Sequence, residues 1–337
     1  MKKIISTGLF ILFNSTLLFA QQIKILTEKN KISLRGLSVV NDTVCWASGS
    51  KGTVVRTTDG GKNFEWMTVK NYEQRDFRDI EAFDSNTAVI MAVAEPAIIL
   101  KTKDGGKNWY KVFEDSTKGM FLDAMDFDGK NGVVIGDPIG NHAFFAMTYN
   151  QGENWINCGT REMRNTTATG EAFFAASGTN IKYFYFHEDW PSLYYVSGGL
   201  QANCWVLFDK KRLPIIQGKE TTGANSIDIF KNKGMIVGGD FANDKDTTQN
   251  CVLVDFKPTI KFYHPQTPPH GYRSCVIYVN EKTLLTCGTS GVDISRDGGM
   301  NWQLISTESF HVVQKAKHGT AIFMAGANGR IAIVKVQ

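Results

Sequence analysis

An eight-residue pattern, Ser/Thr-x-Asp/Asn-x-Gly-x-x-aromatic, occurs four times in this 337-residue chain. The copies run Thr57–Phe64, Thr102–Trp109, Thr148–Trp155 and Ser295–Trp302, with Asp59, Asp104, Asn150 and Asp297 at the third position. Its chemistry is that of a hairpin turn. The Asp or Asn side chain accepts backbone N–H groups across the turn, the Gly two residues on takes a positive φ, and the aromatic plugs the sheet behind it. Four copies at related spacing mark an internal repeat, and a period of about 40 to 50 residues points to a β-propeller, one four-stranded blade per repeat.

The spacing counts the blades. Asp59 to Asp104 is 45 residues, Asp104 to Asn150 is 46, and Asn150 to Asp297 is 147, room for two eroded copies. Asp209 and Asp255 each close an apolar strand at the right phase, so six blades carry a marker. After the last box come three strand-like runs, Phe310 to Lys317, Thr320 to Gly326 and Arg330 to Val336, with no fourth. The alternating segment Ile23 to Leu26 has nothing else to pair with. It is therefore expected to supply the outer strand of blade seven and close the ring without an unpaired seam. The expected fold is all-β, a seven-bladed propeller of four-stranded antiparallel blades. Blade one reads as strands Leu34 to Val40, Thr43 to Gly49, Thr53 to Thr58 and Phe64 to Val69. Later blades begin near Arg78, Phe121, Gly170, Ser226 and Arg273, with Ile181 to Trp190 as extra residues in blade four.

Residues 1–20 pair Lys2 and Lys3 with apolar runs ending at Ala20, the pattern of a secretory signal peptide cleaved near Ala20. Residues 21–337 then form one propeller domain, exported to a periplasm or secreted. No Cys follows the cleavage point to carry a lipid, and no span of the mature chain is expected in a membrane. The 32 glycines, 12% aromatic and 42% hydrophobic residues suit an all-β chain. Loss of Lys2 and Lys3 lowers the formal charge from +4 to +2, which excludes the electrostatic footprint of a nucleic-acid binder. The six cysteines show no metal spacing and read as small buried hydrophobes. Cys275 and Cys287 lie on strands joined by the tight turn at Asn280–Lys282, so they are candidates to face each other, and an oxidising compartment permits a disulfide there. The scattered histidines His142, His187, His264, His270, His311 and His318 lack paired spacing, so no metal site is expected. The aromatic run Tyr183–Trp190 reads as an inserted strand packing on blade four, or as a ligand platform.

Beyond the boxes, the segments Arg35–Val40, Trp46–Thr53, Gly136–Pro138, Gly170–Thr179 and Gly271–Ser274 resemble the photosystem II assembly or stability factor family of Asp-box propellers, in particular the subgroup found in bacteria without a photosystem. The resemblance spans nearly all of the mature length. It implies a binding scaffold that chaperones a partner protein. Some similar bacterial proteins are called oxidoreductases, yet no Gly-x-Gly-x-x-Gly follows a strand and opens a helix, and no cofactor is expected.

In a propeller the D-to-A and B-to-C loops share one face and the C-to-D turns the other, so the boxes lie opposite the channel mouth and are structural. The inner strands begin at that mouth with charges: Arg35, Arg78, Asp79, Asp123, Glu171, Asp228 and Arg273, with Lys51, Glu95, Asp137 and Asp240 in nearby loops. Converging on one axis, they form a candidate binding funnel. One reading pairs these groups with each other to solvate a narrow channel. The other is a site for a partner protein or anionic ligand, with Arg35, Arg78 and Arg273 as fork-like donors. A monomer is expected. The enzyme alternative draws on sialidases, whose Asp-box propellers use an arginine triad, a Tyr nucleophile with a Glu partner and an acid Asp. Asp79, Asp123 or Glu171 would serve as acid or base, but only Tyr272 stands near a mouth. Cleft-type glycosidases need carboxylates facing each other across two domains. Binding ranks ahead of catalysis.

Overall fold

The computed structural model describes residues 23–158, 166–185 and 191–336. The expected leader over residues 1–20 lies outside them, as does the end of the aromatic run from Phe186 to Trp190. Every regular element among the described residues is a strand, arranged in seven antiparallel sheets that each carry an inner-to-outer sequence of strands A to D, the sheet of blade five with two further short strands at its inner edge.

The A strands are Leu34–Val39, Phe77–Ala82, Leu122–Asp128, Ile181–Tyr185, Thr222–Phe230, Cys275–Tyr278 and Val312–Lys315. Six blades are complete within consecutive sequence. The seventh takes its outer strand from Ile23–Thr27, which pairs with Ile331–Val334 from the other end of the chain (Ile23 with Val334, Ile25 with Ala332). The expected alternation holds only in part: a register shift between Ile25 and Thr27 leaves Ile25 exposed, and Leu26 packs against the core instead.

The repeated turns form as their chemistry requires. In the first, Thr57 Oγ1 accepts the N–H of Gly61 at 2.9 Å, and Asp59 Oδ1 accepts the N–H groups of Lys62 and Asn63, both at 2.9 Å. Asn63 adds a side-chain bond, its Nδ2 donating to Asp59 Oδ2 at 2.8 Å. Asn108 and Asn301 do the same for Asp104 and Asp297. The bonds from Asn63 and Asn108 hold the Asp59 and Asp104 carboxyls down at about 2, so both stay ionised through the ordinary pH range. Trp109 and Trp302 lock their turns through Nε1–H bonds to Gly106 and Gly299 carbonyls.

Adjacent blades are stitched by side chains of the inner strands. Ser38 Oγ accepts Ala82 N–H (3.0 Å), Asp79 Oδ2 accepts Met125 N–H (2.7 Å), Asp126 Oδ2 accepts Tyr183 N–H (2.7 Å) and Asp228 Oδ2 accepts Tyr278 N–H (2.6 Å). An inner strand leaves N–H groups facing the neighbouring blade rather than its own ladder. A short acceptor on the previous blade satisfies them at low entropic cost.

Blade four departs from the sequence reading. Its inner strand is Ile181–Tyr185, not a strand starting near Gly170, and the supposed insertion is the blade itself. Glu171–Ala172 pairs instead with Gly198–Gly199, which meets blade five at Gly223. This close approach needs glycine: a Cβ on Gly199 would lie 2.2 Å from the Gly170 carbonyl oxygen, and one on Gly223 2.3 Å from the Cα of Gly198. Tyr183 is buried with Phe145, Tyr195 and Trp205 in the core between blades three and four, so this ring of the aromatic run packs rather than presents itself to a ligand. The extra length of the interval therefore lies ahead of strand A. Cys45, Cys204, Cys251, Cys275 and Cys287 are buried free thiols; Cys275 and Cys287 stand directly opposite each other across the A–B pair of blade six without a disulfide.

Candidate functional site

The geometry of the channel mouth is set by a repeated irregularity. In blades one, two, three and five the A–B register slips by one residue at the strand entry: between Leu34 and Gly36, Phe77 and Asp79, Leu122 and Ala124, and Ala224 and Ser226. The extra residue is Arg35, Arg78, Asp123 or Asn225. In blades six and seven the same place falls to Ser274 and His311, since the glycines ending the B strands, Gly288 and Gly326, face the Cα atoms of Arg273 and Phe310. A bulge turns its extra side chain away from the alternation of the strand. Here all six turn into one cavity of about 480 Å³.

The cavity carries basic and acidic groups on neighbouring blades. Arg35 donates through Nη1 to the Ala176 carbonyl at 3.1 Å, and Arg78 donates through Nε to Asp76 Oδ2 at 2.8 Å. Burial and then the neighbouring Arg78 charge push the Arg35 guanidinium below its ordinary value, so the two cations feel each other. His311 is driven down to about 3 by burial and by both arginines, which makes it a neutral imidazole at physiological pH. Beside Arg78, at the entry of the next blade, stands Asp123, fully buried, neither of whose oxygens has a hydrogen-bond partner; the N–H groups of Asp137 and Ala175 lie near it without bonding geometry. Its carboxyl is held well above the usual range by burial and then by the Asp137 charge, with Arg78 acting against both. Asp137 is raised to about 6 by burial, although its Oδ1 accepts Phe173 N–H at 2.9 Å. Phe174, Phe241 and Tyr272 form an aromatic rim, with ring centroids 5.9 and 6.2 Å apart in edge contacts.

The expected ring of charges thus separates. Arg35, Arg78, Asp123 and Asp137 meet in the cavity. Arg273 does not: it is one residue out of phase, fully buried in the slot that Leu34, Phe77, Leu122 and Phe310 fill in other blades, and ion-paired with Asp293. Asp79 and Asp228 line a second cavity of about 300 Å³ at the other end of the channel, where Asp228 pairs with Lys182 at 3.3 Å. Glu171 is buried against Lys210 (2.6 Å), Asn203 (2.8 Å) and the Ala168 N–H (2.8 Å), and serves the blade-four entry. Asp240 accepts Ala242 N–H, Glu95 accepts Gly119 N–H, and Lys51 is exposed outside the cavity. Sequence reasoning passed over His311, Asn225 and Ser274. A signal existed: where a B strand ends in Gly, as in Trp46–Gly49, Thr286–Gly288 and Met324–Gly326, that glycine faces the residue just before the bulge.

The neutral state of His311 has a measurable consequence. Its folded value lies below that of a free imidazole, so the unfolded chain takes the proton first, and the wild type loses stability as pH falls from about 6.5 towards 3. Asp137 and Asp126, both raised to about 6, work in the opposite sense between 6 and the ordinary carboxylate value. A His311→Gln variant keeps these and loses the imidazole's share. Its melting temperature should therefore gain on that of the wild type as the pH is lowered from 7 to 4; a constant difference would mean that His311 is not held neutral.

The sequence model of the family described as photosynthesis system II assembly factor YCF48 matches residues 15–118. Among solved structures, YCF48 bound to D1 peptide aligns with a TM-score of 0.62 at 17% identity, covering 95% of this chain and 97% of that one. YCF48 from Cyanidioschyzon merolae aligns at 0.61 and 16% identity, covering 93% and 98%. The GH74 xyloglucanase from Xanthomonas campestris aligns at 0.56 and 13% identity, covering 92% of this chain and 53% of that one. No curated protein matches the chain. At these identities the structural likenesses establish the propeller fold.

Proposed function

The chain is a seven-bladed Asp-box propeller like the photosystem II assembly factors, and from that premise we propose that it is an exported scaffold that docks a partner protein at its channel mouth, with Arg35 and Arg78 receiving an anionic group of the partner. The observation that carries this is the convergence of six strand-entry residues from six blades on one cavity, in which two neighbouring guanidiniums have Asp76 as their only hydrogen-bonded carboxylate among the described residues. Each charge-assisted bond to an incoming carboxylate is worth roughly 1.5 to 3 kcal/mol. A relative of the same fold holds a peptide, which supports a protein segment as the occupant.

The test is cross-linked capture from the host with tagged mature protein, comparing wild type with an Arg35→Gln/Arg78→Gln double variant. The variant should lose the captured partner while melting within a few degrees of the wild type, because neither arginine is fully buried. Retention of the same partner by a folded double variant would place docking elsewhere. The second reading, glycoside hydrolysis, draws on the adjacent raised carboxyls of Asp123 and Asp137. Against it, Arg273 is buried elsewhere and leaves no arginine triad, and the Tyr272 hydroxyl donates to Asn225 (2.9 Å) instead of pairing with a carboxylate. Turnover of a fluorogenic glycoside, lost in Asp123→Asn, would reverse the ranking.

A further inference from the structure

We propose that the mouth cavity is a two-ended site for a zwitterion, the ammonium and carboxylate of a free α-amino acid with an apolar or aromatic side chain. This rests on the reading that Arg35 and Arg78 take an anion, and it adds the other half of the ligand. The carrying observation is Asp123. Its side chain lies on a bulge that turns it into the cavity, it is 0% exposed, and both oxygens are unpartnered. A buried carboxyl without a donor is costly, whether charged or neutral, and such groups in folded proteins are normally satisfied by a neighbour or a ligand.

No side chain of the described cavity is placed to satisfy it. Arg78 is the nearest opposite charge, but its Nε is committed to Asp76. Asp137 adds a second carboxyl beside it, with one oxygen already taken by Phe173 N–H. His311, neutral, contributes no charge. A simple anion would satisfy the arginines but bring negative charge towards Asp137 and give Asp123 no donor. A ligand with an ammonium beside its carboxylate meets the arginines and the neighbouring carboxyls at once. The aromatic rim supplies the third contact: Phe241 is 46% exposed at the edge of the cavity, in edge contact with Phe174 and Tyr272, and an apolar side chain laid there would cover it. A cavity of about 480 Å³ falls in the range of small-molecule pockets.

Three probes divide the ligand into its parts. L-phenylalanine carries both charges and the ring, phenylacetate lacks the ammonium, and phenethylamine lacks the carboxylate. By isothermal titration, L-phenylalanine should bind the wild type at least about tenfold more tightly than either fragment, the size of one charge-assisted hydrogen bond. Asp123→Asn should remove the advantage over phenylacetate while leaving phenylacetate binding intact; Arg35→Gln/Arg78→Gln should lose both. Equal affinity of phenylacetate and L-phenylalanine in the wild type overturns the zwitterion and leaves the anion reading standing. Absence of binding by all three at millimolar concentration overturns the zwitterion and counts against an anion site at the arginines. The comparison of probes is made on the wild type, so it holds even if an Asp123 variant fails to fold.

Discussion

Arg273→Ala is expected to cost the propeller about 3 to 5 kcal/mol of folding stability, the penalty for breaking a buried ion pair from one side. All five donors of this guanidinium are engaged inside blade six. Nε donates to Asp293 Oδ2 at 2.8 Å, and Nη2 also reaches Asp293. Nη1 donates to the Tyr272 carbonyl and to Ser290 Oγ, both at 2.7 Å, and Nη2 to the His270 carbonyl at 2.8 Å. Both side chains of the pair are 0% exposed. Alanine therefore strands the Asp293 carboxylate in the core with only the half-exposed His270, whose Nδ1 lies 2.6 Å from Oδ1, as a neighbour. It also takes a donor from the Tyr272 carbonyl, leaves the His270 carbonyl with only Ser290 Oγ, and opens a cavity. Arg273→Lys should recover little, because a point charge cannot serve the four acceptor atoms that the planar fork engages with five bonds. Arg273→Met with Asp293→Leu should cost much less than Arg273→Ala alone, since no charge is then left unpaired. Denaturant melts of the three variants measure this directly. A loss below about 1 kcal/mol for Arg273→Ala would show that the pair is not closed off from water. Partner capture at the mouth should survive in whatever fraction remains folded, which separates this arginine from Arg35 and Arg78.

Removing residues 21–30 should be as damaging or more so. The segment supplies the whole outer strand of blade seven, with Ile23 buried, Leu26 packed on the core and Lys29 N–H bonded to the Asn328 carbonyl at 2.7 Å. Its loss exposes the ladder edge of Ile331–Val334 and opens the seam between first and last blades. Lost hydrogen bonds and apolar burial together approach the margin of about 5 to 15 kcal/mol by which most folds are stable, and a bare edge invites association with other chains. The truncated protein should melt far below the chain that keeps these residues or aggregate on expression. An unchanged melting temperature would mean that the ring does not depend on this closure.

The sequence by itself determined the blades. The turn pattern is local: Asp59 and Thr57 bond within a handful of residues, so the same eight-residue segment folds the same way wherever it recurs, and its spacing counts the repeats. Asp209 and Asp255 mark the C–D connections of blades four and five even without the glycine or aromatic, because the spacing of a four-stranded blade survives the loss of the turn chemistry. Closure was legible for the same reason: three strands at one end and one at the other can only be complementary. What the tertiary structure alone decided is which side chain of each inner strand faces the axis. Strand residues alternate faces with a period of two, so a one-residue slip reverses the whole assignment. A bulge makes that slip at Arg35, Arg78, Asp123 and Asn225, and Ser274 and His311 hold the same place in blades six and seven. That phase sends Ser274 into the cavity and the more conspicuous Arg273 into the core. It likewise leaves Asp79, one residue beyond Arg78, to hold the neighbouring blade. Charge at a strand entry is a property of the residue, but its direction depends on the register with the strand beside it; in blades one, six and seven that register sets Leu34, Arg273 and Phe310 against Gly49, Gly288 and Gly326, where a Cβ would lie 3.0 Å from the facing Cα.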